Sequence, residues 1–221
     1  MSRNEATVDL GLAFLLALVF SLPESAGGGG IPDWGGAAVH LRNIGFLAPQ
    51  ALLFLMIIDM RLGGSALESP RGFLRELPGT LLLAGLLTGA GLAVPLVLPA
   101  GASAPALAAG QASAVPLHPW LLLPLIALSA LSVGWREEAL FRVLVPGLLE
   151  RGGTPKALAL AAPLALFALA HLWQGVQGAV SALVLGGILA AARARGSPLR
   201  RLALAHAAYD ALAMTLLAYG A

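Results

Sequence analysis

The sequence predicts an all-α fold, a polytopic membrane helical bundle of about seven transmembrane helices. Two observations carry the prediction. Hydrophobic residues make up 58% of the 221-residue chain against 11% charged, with a mean hydropathy of +0.86, far from the balance of a soluble globular domain. Apolar runs long enough to cross about 30 Å of hydrocarbon also recur from one end of the chain to the other, which favours one membrane domain over a soluble domain with an anchor. The absence of cysteine excludes disulfides, thiolate nucleophiles and sulfur-ligated zinc sites.

In chain order, the spans fall near residues 7–22, 43–60, 78–98, 119–150, 155–173, 176–194 and 199–219. The first is short. Glu5 and Asp9 spoil the basic leader that a signal peptide would need, so this segment is expected to stay as a retained first span. Gly27 to Gly30 form a joint, and the small-residue stretch 100–118, rich in Ala, Ser and Pro, is expected as loop. At about 1.5 Å per residue the fourth span would run roughly 46 Å, so it exceeds the hydrocarbon by roughly 16 Å. Pro146 is a candidate kink within it. Gly85 and Gly89 form a G-x-x-x-G face in the third span, and Gly186, Gly187 and Ala190 a similar one in the sixth, where small residues let helices approach. The organisation expected is an N-terminal set of transmembrane helices with a linker over residues 1–118, followed by a catalytic helical core over residues 119–221.

The net charge of +2 and the pI near 9.7 come from basic residues in loops beside the apolar runs, so they speak for membrane orientation and against a nucleic-acid partner. Arg61, Arg71 and Arg75 follow the second span, Arg151 and Lys156 the fourth, and Arg193, Arg195, Arg200 and Arg201 the sixth. These loops alternate, as one side of a membrane requires. The intervening loops carry only Arg42, and Trp34, Trp120 and Trp173 fall where an outer aromatic belt would stand. The expectation is an integral protein of the cell (inner) membrane with a cytoplasmic N-terminus.

Ionisable residues inside spans cost several kcal/mol unless paired or hydrated, so they are candidate functional residues. They are Glu137, Glu138 and Arg142 in the fourth span, His171 in the fifth, and His206 and Asp210 in the seventh. Glu138 and Arg142 stand four apart and can pair along one face. Glu137 is turned about 100° from Glu138 and cannot share that bond equally. His206 and Asp210 also stand four apart, so the acid can orient the imidazole, and Phe167 lies one turn below His171. Depth adds a check: Glu137 is roughly 21 Å above Arg151 and His171 roughly 22 Å above Lys156, level across one helical hairpin. His40 and His118 are expected in loops, Trp135 in packing, and Thr88 and Ser129 bonded to their own helix backbones.

Taken together, Glu137-Glu138-x-x-x-Arg142, Phe167-x-x-x-His171 and His206-x-x-x-Asp210 resemble the CPBP family of intramembrane proteases, which includes the CAAX prenyl endopeptidases and bacteriocin-processing, Abi-like relatives. The resemblance covers residues 119–221. It implies a glutamate-dependent peptidase with Glu137 and His171 activating water and His206 with Asp210 on the oxyanion side. Glu138, Arg142 and Phe167 would be structural support. It implies no cofactor, although two histidines and a glutamate could also form a zinc site of the His₂Glu type. The partners implied are the lipid bilayer and a peptide or membrane-protein substrate, lipid-modified in some relatives. The family typically carries Asn where this chain has Asp210, and an ionised Asp would repel an oxyanion, so an orienting role is preferred there. That departure keeps open an alternative: a non-catalytic membrane peptide-binding, immunity or scaffold protein of the same fold.

Overall fold

The computed structural model describes residues 3–21, 34–63, 73–98 and 117–219. Among them every regular element is helical. The glycine run 27–30 and most of the stretch 100–118 lie outside the described residues. In chain order the elements are α1 (Arg3–Ser21), α2 (Ala37–Leu62), α3 (Phe73–Val97), α4 (Pro119–Glu138), a π-helical segment (Ala139–Leu144), α5 (Val145–Arg151), α6 (Lys156–Ala170), a 3₁₀ turn (Leu172–Gln174), α7 (Gly175–Ala194) and α8 (Leu199–Tyr219). Because α4, the π segment and α5 run on as one rod, the described residues form seven helical rods. Five segments are long and apolar enough to cross a membrane: Ala37–Leu62, Arg75–Val97, Pro119–Arg151, Leu172–Ala194 and Leu199–Tyr219.

Helix boundaries follow local chemistry. Pro119 opens α4 at a position whose N–H would be free anyway, and the His118 side chain caps it by accepting from Trp120 N. Helix α2 ends on Gly63, whose φ of 67° is the left-handed conformation that glycine adopts without strain. Helix α6 corrects the expected fifth span. Its 15 residues cover only about 22 Å, short of the hydrocarbon thickness. The chain then turns through the 3₁₀ segment to Gly175, at φ 82°, before α7 begins. His171 therefore sits at the C-cap of α6 rather than inside a span.

The π segment answers the question that Pro146 poses. Pro146 has no N–H to give the Arg142 carbonyl and its ring would crowd that carbonyl in a regular helix. One residue earlier, Val145 N–H bonds to Leu140 O, a reach of five residues instead of four. The rod thus absorbs the proline by widening one turn. This segment lies at the centre of the bundle, where Leu140 and Leu144 pack with Phe54 and Ile58 of α2, Leu148 of α5, Phe167 of α6 and Ala182 of α7. Helices from both halves of the chain share that core.

Helix α4 packs on α8 and α2, α3 on α8 and α7, and α1 on α5. The close crossing of α4 and α8 depends on Gly134: a Cβ there would lie 2.7 Å from Ala203 O and 3.1 Å from Ala207 N. Gly85, Gly89 and Gly187 have nothing within 4 Å of a would-be Cβ, so the expected G-x-x-x-G face makes no close contact. The tight approaches in α3 are at Gly79, against Arg201, and at Gly91, against Tyr209. Ser129 also departs from expectation. It accepts from Asn43 Nδ2 at 3.0 Å and ties α4 to α2, while His40 is a fully buried residue of α2 whose Nε2 meets Trp34 O at 3.1 Å.

One end of the bundle collects the basic helix termini. Asp9 of α1 is fully buried between Arg61 at the end of α2, at 3.6 Å, and Arg151 at the end of α5, at 2.9 Å. Arg200 at the start of α8 bonds Glu76 at the start of α3, with Nε to Oε2 at 3.0 Å. Large apolar side chains such as Leu81, Leu82 and Leu96 of α3 and Met60 of α2 face outward, as lipid contact requires.

Candidate active site

The Gly134 crossing sets up the site. On α4, Glu138 stands one turn beyond Gly134, and on α8 His206 and Asp210 share the face of Ala203 and Ala207. Bringing the two backbones together at Gly134 therefore brings the acids of α4 to the imidazole of α8. His206 Nδ1 and Glu138 Oε1 are 2.9 Å apart. His206 Nε2 lies 3.8 Å from Glu137 Oε2 and 3.6 Å from Asp210 Oδ2. Since a carboxylate accepts, the proton of that ring faces Glu138 at Nδ1, and Nε2 is turned toward the other two acids.

Burial divides the acids. Glu138 and Arg142 are sealed in, with side chains 0% and 2% exposed, whereas Glu137, His206 and Asp210 retain 11–16%. Arg142 Nε stands 3.5 Å from Glu138 Oε2, a charge contact without hydrogen-bond geometry. The guanidinium also lies over the Phe167 ring, 4.7 Å from its centroid, a cation–π contact in a dry setting. Gly186 of α7 makes room for it: a Cβ there would be 2.8 Å from Arg142 Nη2 and 3.0 Å from Phe167 Cδ1. Three carboxylates against two guanidiniums, Arg136 and Arg142, leave the cluster one negative charge in excess before any proton on His206 is counted.

Phe167 joins the third motif to the other two. Its ring is 4.6 Å from His171, 6.4 Å from His206 and 5.2 Å from Phe141, centroid to centroid. The Phe167 carbonyl meets His171 Nδ1 at 2.8 Å, so Nδ1 carries the proton and Nε2 is left to accept.

All seven residues singled out from the sequence thus gather around two neighbouring rings, Phe167 and His206, with two differences in their pairing. Glu138, expected to pair with Arg142 as structural support, also meets His206 at 2.9 Å, the shortest ion pair of the cluster. Glu137, expected without a local partner and level with His171, contacts Arg136 Nη1 at 3.6 Å and His206. Among the described residues no ion pair joins Glu137 to His171. Sequence reasoning also passed over Arg136 and Gln50, whose side chains meet at 3.1 Å. The signal for Arg136 was its place inside an apolar span beside two acids; Gln50, 86 residues away, left none. Among the described residues no group of three or more His, Asp or Glu side chains is arranged to hold a metal ion.

Residues 119–212, from α4 into α8, match the family model of the type II CAAX prenyl endopeptidase Rce1-like family. No curated protein and no solved structure matches the chain. The matched segment contains Glu137, Glu138, Arg142, Phe167, His171, His206 and Asp210, and it agrees with the CPBP resemblance of the three motifs. Over residues 119–212 the chain is thus similar to the Rce1-like type II CAAX prenyl endopeptidase family.

Proposed function

We propose that the protein is an intramembrane CAAX-type endopeptidase that hydrolyses a peptide bond near the membrane surface. One observation carries the reading: within a segment similar to an endopeptidase family, His206 is held by Glu138 at Nδ1 and turns Nε2 toward the partly accessible Glu137 and Asp210. Peptide hydrolysis needs a base for water and a donor where negative charge develops. Glu137 takes a proton from water, which His171 Nε2 helps to hold, and the water oxygen adds to the scissile carbonyl carbon. Doubly protonated His206 donates through Nε2 to the new oxyanion. Asp210, one turn on, orients that ring. Glu137 then gives its proton to the leaving nitrogen, the C–N bond breaks, and a carboxylate and an amine result.

The reaction so written uses no cofactor. No step is routed through a metal. The substrate proposed is a peptide or membrane protein, with a lipid-modified tail that would lie in the bilayer. The end of the bundle that carries Arg61, Arg151 and Arg200 is proposed to face the cytoplasm of the cell (inner) membrane, because basic residues are retained there.

Glu137→Gln and His171→Ala are each expected to abolish cleavage of a prenylated CAAX peptide by the protein in lipid nanodiscs, with folding retained. Full activity in either variant would overturn the assignment. A chelator should leave the rate unchanged, and a loss restored by zinc would favour the metal alternative. The non-catalytic reading, which Asp210 motivates, predicts instead that Glu137→Ala at normal abundance keeps the biological phenotype.

A further inference from the structure

We infer that Gln50 and Arg136 form a positioning relay that fixes which oxygen of Glu137 faces the substrate water, so that α2, outside the family segment, takes part in the reaction. The inference rests on the assignment of Glu137 as the base. Neighbouring residues on a helix diverge by about 100°, so Arg136 reaches Glu137 only if its long side chain bends back. It is held in that posture. Arg136 is buried, and its Nε–H donates to Gln50 Oε1 at 3.1 Å, across the contact between α4 and α2. With Nε engaged, the guanidinium places Nη1 3.6 Å from Glu137 Oε1. The opposite oxygen, Oε2, is the one that lies 3.8 Å from His206 Nε2.

The carboxylate is thereby bracketed, with a cation on one oxygen and the imidazole on the other. A glutamate in a partly accessible cleft has three side-chain torsions to lose, and a base displaced by about 1 Å can cost on the order of 100-fold in rate. The relay removes that freedom without touching substrate, so Gln50 and Arg136 are positioning residues. Lysine could not replace the arginine, because a single ammonium cannot meet an amide oxygen in one direction and a carboxylate in another with fixed geometry.

A simple interhelical staple would use the same bond, and kinetics separate the two. In nanodiscs, with a fluorescence-quenched prenylated CAAX peptide, Gln50→Leu is expected to lower kcat about tenfold and to leave KM within about twofold. Gln50→Glu, whose oxygen accepts the same N–H, should restore most of the loss. In an Arg136→Lys background, already slow, Gln50→Leu should have no further effect. Wild-type kcat in Gln50→Leu would overturn the relay, as would a loss that follows thermal stability and is not restored by Gln50→Glu. Should Gln50→Leu fail to accumulate, Gln50→Asn, one methylene too short, gives the same kcat readout. Glu137→Gln is run alongside: if it is active, the base assignment itself fails; if it is inactive while Gln50→Leu is normal, only the relay fails.

Discussion

The Glu138–Arg142 pair offers a test in which stability and activity part company. Glu138→Gln is nearly isosteric and can still accept from His206 Nδ1 through its amide oxygen, but it sets an NH₂ or a neutral carbonyl against the guanidinium. Arg142 is 2% exposed at the side chain, and its three nitrogens make no hydrogen bond among the described residues. Stripping the counter-charge from a buried ion costs about 3–5 kcal/mol. Arg142→Met leaves Glu138 with its 2.9 Å bond to His206, so its cost should be smaller, about 1–3 kcal/mol. The double variant carries neither charge, and replacing both members of a buried pair is often close to neutral. Its loss should be within about 1.5 kcal/mol, several kcal/mol less than the sum of the single losses. Activity should not return with stability, because His206 has lost the carboxylate that orients it, a deficit on the order of 10³-fold. Thermal unfolding of the purified variants and peptide cleavage by the same samples measure both quantities. Additive losses of stability, or a double variant with wild-type turnover, would refute the reasoning.

Other outcomes follow from the same geometry. Around Asp9, Arg61→Ala with Arg151→Ala strands a fully buried carboxylate and should destabilise by about 3–5 kcal/mol, whereas Asp9→Ala leaves two half-exposed arginines that water can reach and should cost about 1–2 kcal/mol; chemical unfolding in detergent compares them. Gly134→Ala must part α4 from α8 against the backbone of Ala203 and should lose about 1–3 kcal/mol together with activity, while Gly85→Ala, with open space at its Cβ, should be neutral or stabilising by about 0.5–1 kcal/mol in the same melt. Asp210→Asn keeps a polar side chain beside His206 Nε2 and should retain most peptide cleavage, with Asp210→Ala well below it; equal rates in the two would remove Asp210 from the site.

Much of the architecture was legible because a membrane constrains sequence strongly. A helix that must cross lipid shows itself as an apolar run, and the ends of α3, α7 and α8 lie within a few residues of expectation. The residues that gather at the candidate site stood out for the same reason, since charge in an apolar span has few bland explanations. What could not be read was pairing. Glu137 and Glu138 differ by one step of rotation, and only the Gly134 crossing decides which of them meets His206 Nδ1. The shortened α6 was hidden because residues 172–173 continue its apolar run, although Gly175 marks the break. The link from Arg136 to Gln50 depends on how two distant helices pack, which spacing along one chain does not encode.

The widened turn at Ala139–Leu144 has a consequence for the whole rod. It stores one residue more than an α-helix would over the same length, so α5 is rotated by about 100° from the heading that α4 alone would give it. That rotation aims Arg151 at Asp9 while Glu138 stays aimed at His206. The candidate site at Glu138 and the anchorage of the first helix are therefore phased against each other by a single residue of chain, like two cams on one shaft. Removing one residue from the segment would retime one against the other without altering a side chain of either.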